Sequence, residues 1–175
     1  MGTHNALLRL AASSYLEVIA VNPSAPAPAR PRWFQLDRVG PADPPRLAAW
    51  VAWTSDIRAT AAAASVWLGD VEVIARDSLQ WLITIAPNGT LPMEGTAPSL
   101  IQWLGDSHPA GGLRDVGCSL VSLEIYHPNI DMLVGLLHSI DFDGPVSLSA
   151  LDSGAPPRLV ASIRTPNGLR FLGAP

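Results

Sequence analysis

Glu17 is the residue whose surroundings most suggest chemistry. It is the one charge in the apolar run at residues 14–21, SYLEVIAV. A carboxylate among apolar neighbours needs a partner or a cavity, and one that lines a cavity can act as a ligand or general base. The plainer alternative is an Arg-paired or rim-exposed carboxylate. His4 and Asn5 lie on the preceding run, residues 3–10 (THNALLRL). Side chains alternate along a strand, so only one of the two shares a face with Glu17. If the turn is Ala12–Ser13, Leu8 opposes Glu17 and His4 joins it, as a half-site or an acid–base pair. If the loop is one residue longer, Leu7 opposes Glu17 and Asn5 joins it instead. His108 sits on a loop (GDSHPAGG), where functional residues often gather, although a turn histidine before proline is the plainer reading. The four histidines show no HxxxH-type spacing. Trp81 and Trp103 lie on apolar runs and could stack on a flat ligand, or simply fill the core.

These residues need elements to position them. Residues 3–10 and 14–21 read as a hairpin. The proline-rich stretch at 22–33 (NPSAPAPARPRW) cannot form a ladder or helix interior, and Trp33 and Phe34 suggest that it docks. Residues 46–54 then read as a strand. A helix capped by Ser55 or Asp56 follows, running to about residue 68. Residues 71–76, 79–86 and 98–104 read as strands. The pattern restarts at 118–126 with a strand, a turn and helix cap at His127-Pro128-Asn129 and a helix at 130–140, then strands at 146–150, 158–164 and 169–172. The expected class is α+β, with repeated strand–helix–strand–strand–strand modules, curved and mostly antiparallel sheets, and helices on the outer face. The units fall at residues 1–33, 34–112 and 113–175, packed as one body.

The chain has 175 residues, is 48% hydrophobic and carries a net charge of −4, which suits a folded domain rather than a disordered one. The acidic balance argues against non-specific nucleic-acid binding. All eleven basic residues are Arg, which removes lysine-based covalent chemistry. Cys118, the single cysteine, cannot form an internal disulfide and fits a reducing compartment. No signal peptide, membrane span, phosphate loop, dinucleotide fingerprint or nucleophile elbow is apparent. A cytoplasmic protein with a small-molecule partner, without membrane or nucleic-acid partners, is expected.

Several stretches in order resemble one family: GTHNALLRL, YLEVIAVNP, PRWFQLD, IAPNGTLPMEG, SLIQWLGDSHPA, GCSL, YHPN and RTPNG. They are similar to the glyoxalase-like domain family of the vicinal-oxygen-chelate superfamily, over nearly the whole chain. The resemblance implies paired modules whose sheets form an open cup, and a divalent metal (zinc, iron, manganese or nickel) held by the first and last strand of each module. Glu17 matches the last-strand ligand of the first module, and Gln102 (LIQWL) matches that of the second. The first-strand position of the second module falls at about Ala49, which has no donor. The chain starts where the family's second strand usually runs, so the first strand and helix of the first module are missing. A truncation, a second copy, or the third unit packing like a permuted module would account for this; the third places Ser122 at the ligand position.

Three functions follow. A metal-dependent lyase, isomerase or dioxygenase would use Glu17 and Gln102 as ligands and Glu17 or His4 in catalysis. A metal-free binding module would use Asn5, Gln102, Trp81, Trp103 and His108 around a small molecule. A degenerate member would have no site and be stable only as an oligomer. The missing strand predicts a homo-oligomer in any case, because an open edge or bare apolar face is normally covered.

Overall fold

The computed structural model describes residues 1–76, 79–105 and 108–173. It is α+β, with ten strands in curved, mostly antiparallel sheets and few helices. β1 (Thr3–Ala11) and β2 (Ser14–Val21) form a two-stranded sheet by themselves. The turn is Ala12–Ser13, but the ladder is not regular: Ala11 pairs with Ser14 and Arg9 with Tyr15, so Leu10 is an extra residue. This β-bulge shifts the register beyond it by one and sets Leu7 opposite Glu17.

The chain then crosses the proline-rich stretch to a tight segment, Trp33–Arg38. Arg30 grips Glu72 with both guanidinium nitrogens at 2.6 Å, which ties the stretch down. Trp33 is buried, while Phe34 and Gln35 take left-handed backbone angles that side chains rarely adopt. Gln35 N–H donates to the Gly89 carbonyl and helps to hold that turn.

The central sheet is ordered β3 (Val51–Trp53), β6 (Ser99–Leu104), β5 (Leu79–Ile85), β4 (Asp70–Arg76). β3 is an edge strand whose only neighbour, β6, starts at Ser99, so it is shorter than its apolar run. Helix α1 (Ile57–Ala63) is capped by Asp56, whose carboxylate accepts from Ala59 N–H at 3.1 Å. It stops well before residue 68. Ala64 is already extended, and Ser65 N–H donates to Ser139 Oγ. Gly69 (φ +106) then runs so close to β5 that a Cβ there would lie 2.5 Å from the Ile85 carbonyl carbon.

The third unit comprises β7 (Ser119–His127), helix α2 (Ile130–Ser139), β8 (Val146–Ala150), β9 (Arg158–Thr165) and β10 (Gly168–Leu172). Asn129 caps α2 through Met132 N–H. The element order repeats that of the central unit, but the wiring differs. In the central unit the helix joins strands at opposite edges of the sheet, whereas here α2 joins the adjacent parallel strands β7 and β8, giving the order β10-β9-β7-β8. The third unit is therefore no copy of the second. Ser122 pairs with Ser162 in this sheet.

Two cores result. The larger joins both helices to the inner faces of both sheets. Ile57, Leu100, Ile125, Leu133 and Leu136 are essentially inaccessible there, each stabilising the fold by about 1.5–3 kcal/mol. The smaller lies on the opposite face of the central sheet, where Trp33, Leu36, Trp81, Ile83, Ile85 and Ile101 meet Ile19, Val21 and Trp103. The hairpin thus covers the sheet face that the helices leave free. No helix among the described residues is long and apolar enough to cross a membrane.

Candidate functional site

Strand parity decides which side chains meet. With Leu7 opposite Glu17, the residues Thr3, Asn5, Leu7, Arg9, Tyr15, Glu17, Ile19 and Val21 share one face of the hairpin. On the central sheet, Trp81 pairs with Trp103, Ile83 with Ile101, and Ile74 with Trp81. These pairs share the face turned to the hairpin. Between the two lies a cleft of about 210 Å³ lined by Asn5, Tyr15, Glu17, Trp81 and Trp103, with Arg76 among the other walls.

Asn5 Nδ2 donates to Glu17 Oε1 at 2.7 Å. Both residues are exposed at the cleft mouth. Tyr15, two residues before Glu17 on the same face, is much more enclosed. Burial, and then the negative Glu17, pushes its phenol up to about 12, so it remains a proton donor at neutral pH. Trp81 and Trp103 meet at 5.4 Å between ring centroids, tilted by 49°. His108 packs against two of the lining residues, 5.6 Å from Trp103 and 5.8 Å from Tyr15, while its neighbour Pro109 lines the cleft itself. Burial lowers its pKa, and its Nδ1 accepts from Ala110 N–H at 3.1 Å. The neutral ring then carries its proton on Nε2.

Two expected site residues lie elsewhere. His4 pairs with Ala20 on the other face of the hairpin and is exposed there, because the Leu10 bulge reverses the register that a plain Ala12–Ser13 turn would give. Gln102 pairs with Leu82, on the helix side of the central sheet. Its side-chain oxygen accepts from Ile57 N–H at 3.0 Å, satisfying a free donor in the first turn of α1. Gln102 therefore serves the helix and does not face Glu17. Ser122 is not part of the cleft wall either.

These positions test the metal that the resemblance implies. Among the described residues, no group of three or more His, Cys, Asp or Glu side chains gathers to hold an ion. Glu17 has an amide as its polar partner, and its expected co-ligand is turned through the sheet. The donors present do not fit a divalent cation.

Tyr15 and Arg76 were missed in the sequence. Tyr15 was legible, since period-two alternation puts it beside Glu17 whichever register holds. Arg76 ends an apolar strand, and nothing in its local spacing marks it.

No curated protein and no solved structure matches the chain. A family model does, over residues 1–140, which takes in the hairpin, the central unit and the third unit to the end of α2. The model is that of the glyoxalase-like domain, within the vicinal-oxygen-chelate superfamily, and the chain belongs to this glyoxalase-like domain family.

Proposed function

We propose that this glyoxalase-like protein binds a small planar molecule between the hairpin and the central sheet, with Glu17 as its acceptor and Tyr15 as its donor. The observation that carries the reading is the convergence of Asn5, Glu17 and Tyr15 on one face, opposite the Trp81–Trp103 pair. Aromatic walls with a few placed polar groups are the usual make-up of a small-molecule site. At about 210 Å³ the cleft suits one or two rings. A carboxylate beside a phenol that stays protonated is also equipped to take a proton at one ligand atom and give one at another. Isomerisation or elimination is the chemistry such a pair serves.

The test is a screen of small aromatic and heteroaromatic fragments, read by the indole N–H signals in heteronuclear NMR. Binders should shift Trp81 and Trp103 and lose affinity in Trp103→Ala. The reading fails if no fragment binds, or if binders shift only the exposed Trp67.

A further inference from the structure

Among the described residues lining the cleft, Arg76 is the single cation and Glu17 the single anion. The function proposed above makes no use of Arg76. On the hairpin-facing side of β4, Glu72, Ile74 and Arg76 follow one another, and Ile74 pairs with Trp81. Arg76 therefore stands one row beyond the Trp81–Trp103 pair. Of the two acidic residues on that face of β4, the nearer, Glu72, is already held by Arg30, and Asp70 stands at the far end of the strand. Among the described residues, the hydrogen bond that Arg76 makes is Nη2 to the Thr3 hydroxyl, long at 3.4 Å and to a neutral group. Its side chain also borders a second open volume of about 340 Å³, with Met1, Gly2, Thr3 and Trp33. A half-buried guanidinium with most of its donor fork unused is suited to a planar anion, which it binds with two parallel hydrogen bonds.

The strand spacing sets the distance across the site. Thr3 stands at Arg76, while Glu17 is opposite Leu7 in the register of β1 and its carboxylate reaches back to Asn5. That separation is two to four residues, roughly 7–13 Å at strand rise. It spans one or two fused rings. The charges dispose of the orientation: a ligand carboxylate is repelled at Glu17 and attracted at Arg76.

We propose that Arg76 anchors the carboxylate of a ring-bearing organic acid, whose ring lies on Trp81 and Trp103 and whose far end meets Glu17 and Tyr15. This rests on the cleft reading above and adds the class of ligand to it.

Two probes of equal shape separate the two claims: naphthalene-2-carboxylate and naphthalene-2-carboxamide, each titrated into the full chain and followed by the Trp81 and Trp103 signals. The carboxylate should bind about tenfold more tightly than the amide. Arg76→Gln should abolish that preference and Arg76→Lys should keep part of it, while Thr3→Ala leaves it in place. Raising salt from about 20 to about 500 mM should reduce the preference in the unaltered chain, which keeps the test valid if Arg76→Gln does not fold. Equal affinity for the two probes, a preference that survives in Arg76→Gln, or one indifferent to salt overturns the Arg76 assignment and leaves the cleft intact. Failure of both probes to move either indole overturns the cleft reading and this inference with it.

Discussion

The Asn5 amide reaches the Glu17 carboxylate at 2.7 Å because the ladder between their strands skips Leu10. The two are diagonal neighbours across the hairpin, the arrangement in which a short amide can hold a longer carboxylate still. Asn5→Leu removes that hold without touching a buried group. Fragment affinity should fall about three- to tenfold, with no change in the melting curve. An unchanged affinity would mean that Glu17 needs no positioning.

Tyr15 should ionise near 12, well after an ordinary phenol. Ultraviolet difference titration follows it, with Tyr15→Phe identifying its signal against Tyr126. In Glu17→Gln the midpoint should drop by only the smaller part of the shift, because burial is the leading cause. A full return to the ordinary phenol value would show that charge, not enclosure, dominates the site.

His108 makes stability depend on pH. Its pKa is depressed by burial, so the unfolded chain binds the proton more readily than the folded one. The contribution is intact above about 6.5, the unfolded value, and is lost as pH falls from there through the folded value. Urea melts between about pH 7.5 and 5 should show this decline, and His108→Gln should remove part of it. A His108 ring signal titrating above the ordinary imidazole value would refute the sign.

Gln102→Ala takes away the side-chain acceptor of the Ile57 amide. The expected loss is about 1 kcal/mol in denaturant titration. Fragment affinity should stay as it was, since the side chain lies on the far face of the sheet. A variant of normal stability that no longer binds fragments would put Gln102 back in the site.

Val51 and Trp53 lie on the cleft side of β3, exposed by 43% and 65%, and the β1–β2 hairpin pairs with no third strand among the described residues. Apolar edges of this kind are normally covered. Light scattering should report a dimer or larger, and Trp53→Ser should shift it towards monomer. A monomer at high concentration argues against self-association.

Most strands could be read directly from their apolar runs, and the bounds of β2 and β8 fall where alternation and turn residues put them. The Ser55–Asp56 pair and the His127-Pro128-Asn129 turn announced both helix starts, and it is Asp56 and Asn129 that make the caps. Wiring was not legible. A strand–helix–strand–strand–strand order serves equally for the central sheet and for the parallel crossover of the third unit, and the choice depends on contacts far apart in sequence. The site was half legible. Trp81, Trp103, His108 and Glu17 were all named, yet Gln102 was named beside Trp103 although neighbours on one strand must point to opposite faces. The choice between His4 and Asn5 was lost on Leu10, because nothing in ALLRLAASSY marks which residue leaves the ladder.

The register of β1 on β2 has a bearing on how such a protein can change by descent. Loss of the Leu10 codon would even out the ladder and leave every pairing as it is, whereas loss of one codon among Ala6, Leu7 and Leu8 would carry the start of β1 one residue towards the turn and reverse its faces in one step. Asn5 would leave the Glu17 carboxylate and His4 would take its place. An amide that can only hold the carboxylate would give way to an imidazole that can exchange protons with it, with no residue substituted. In this hairpin, insertions and deletions are therefore the mutations that alter chemistry.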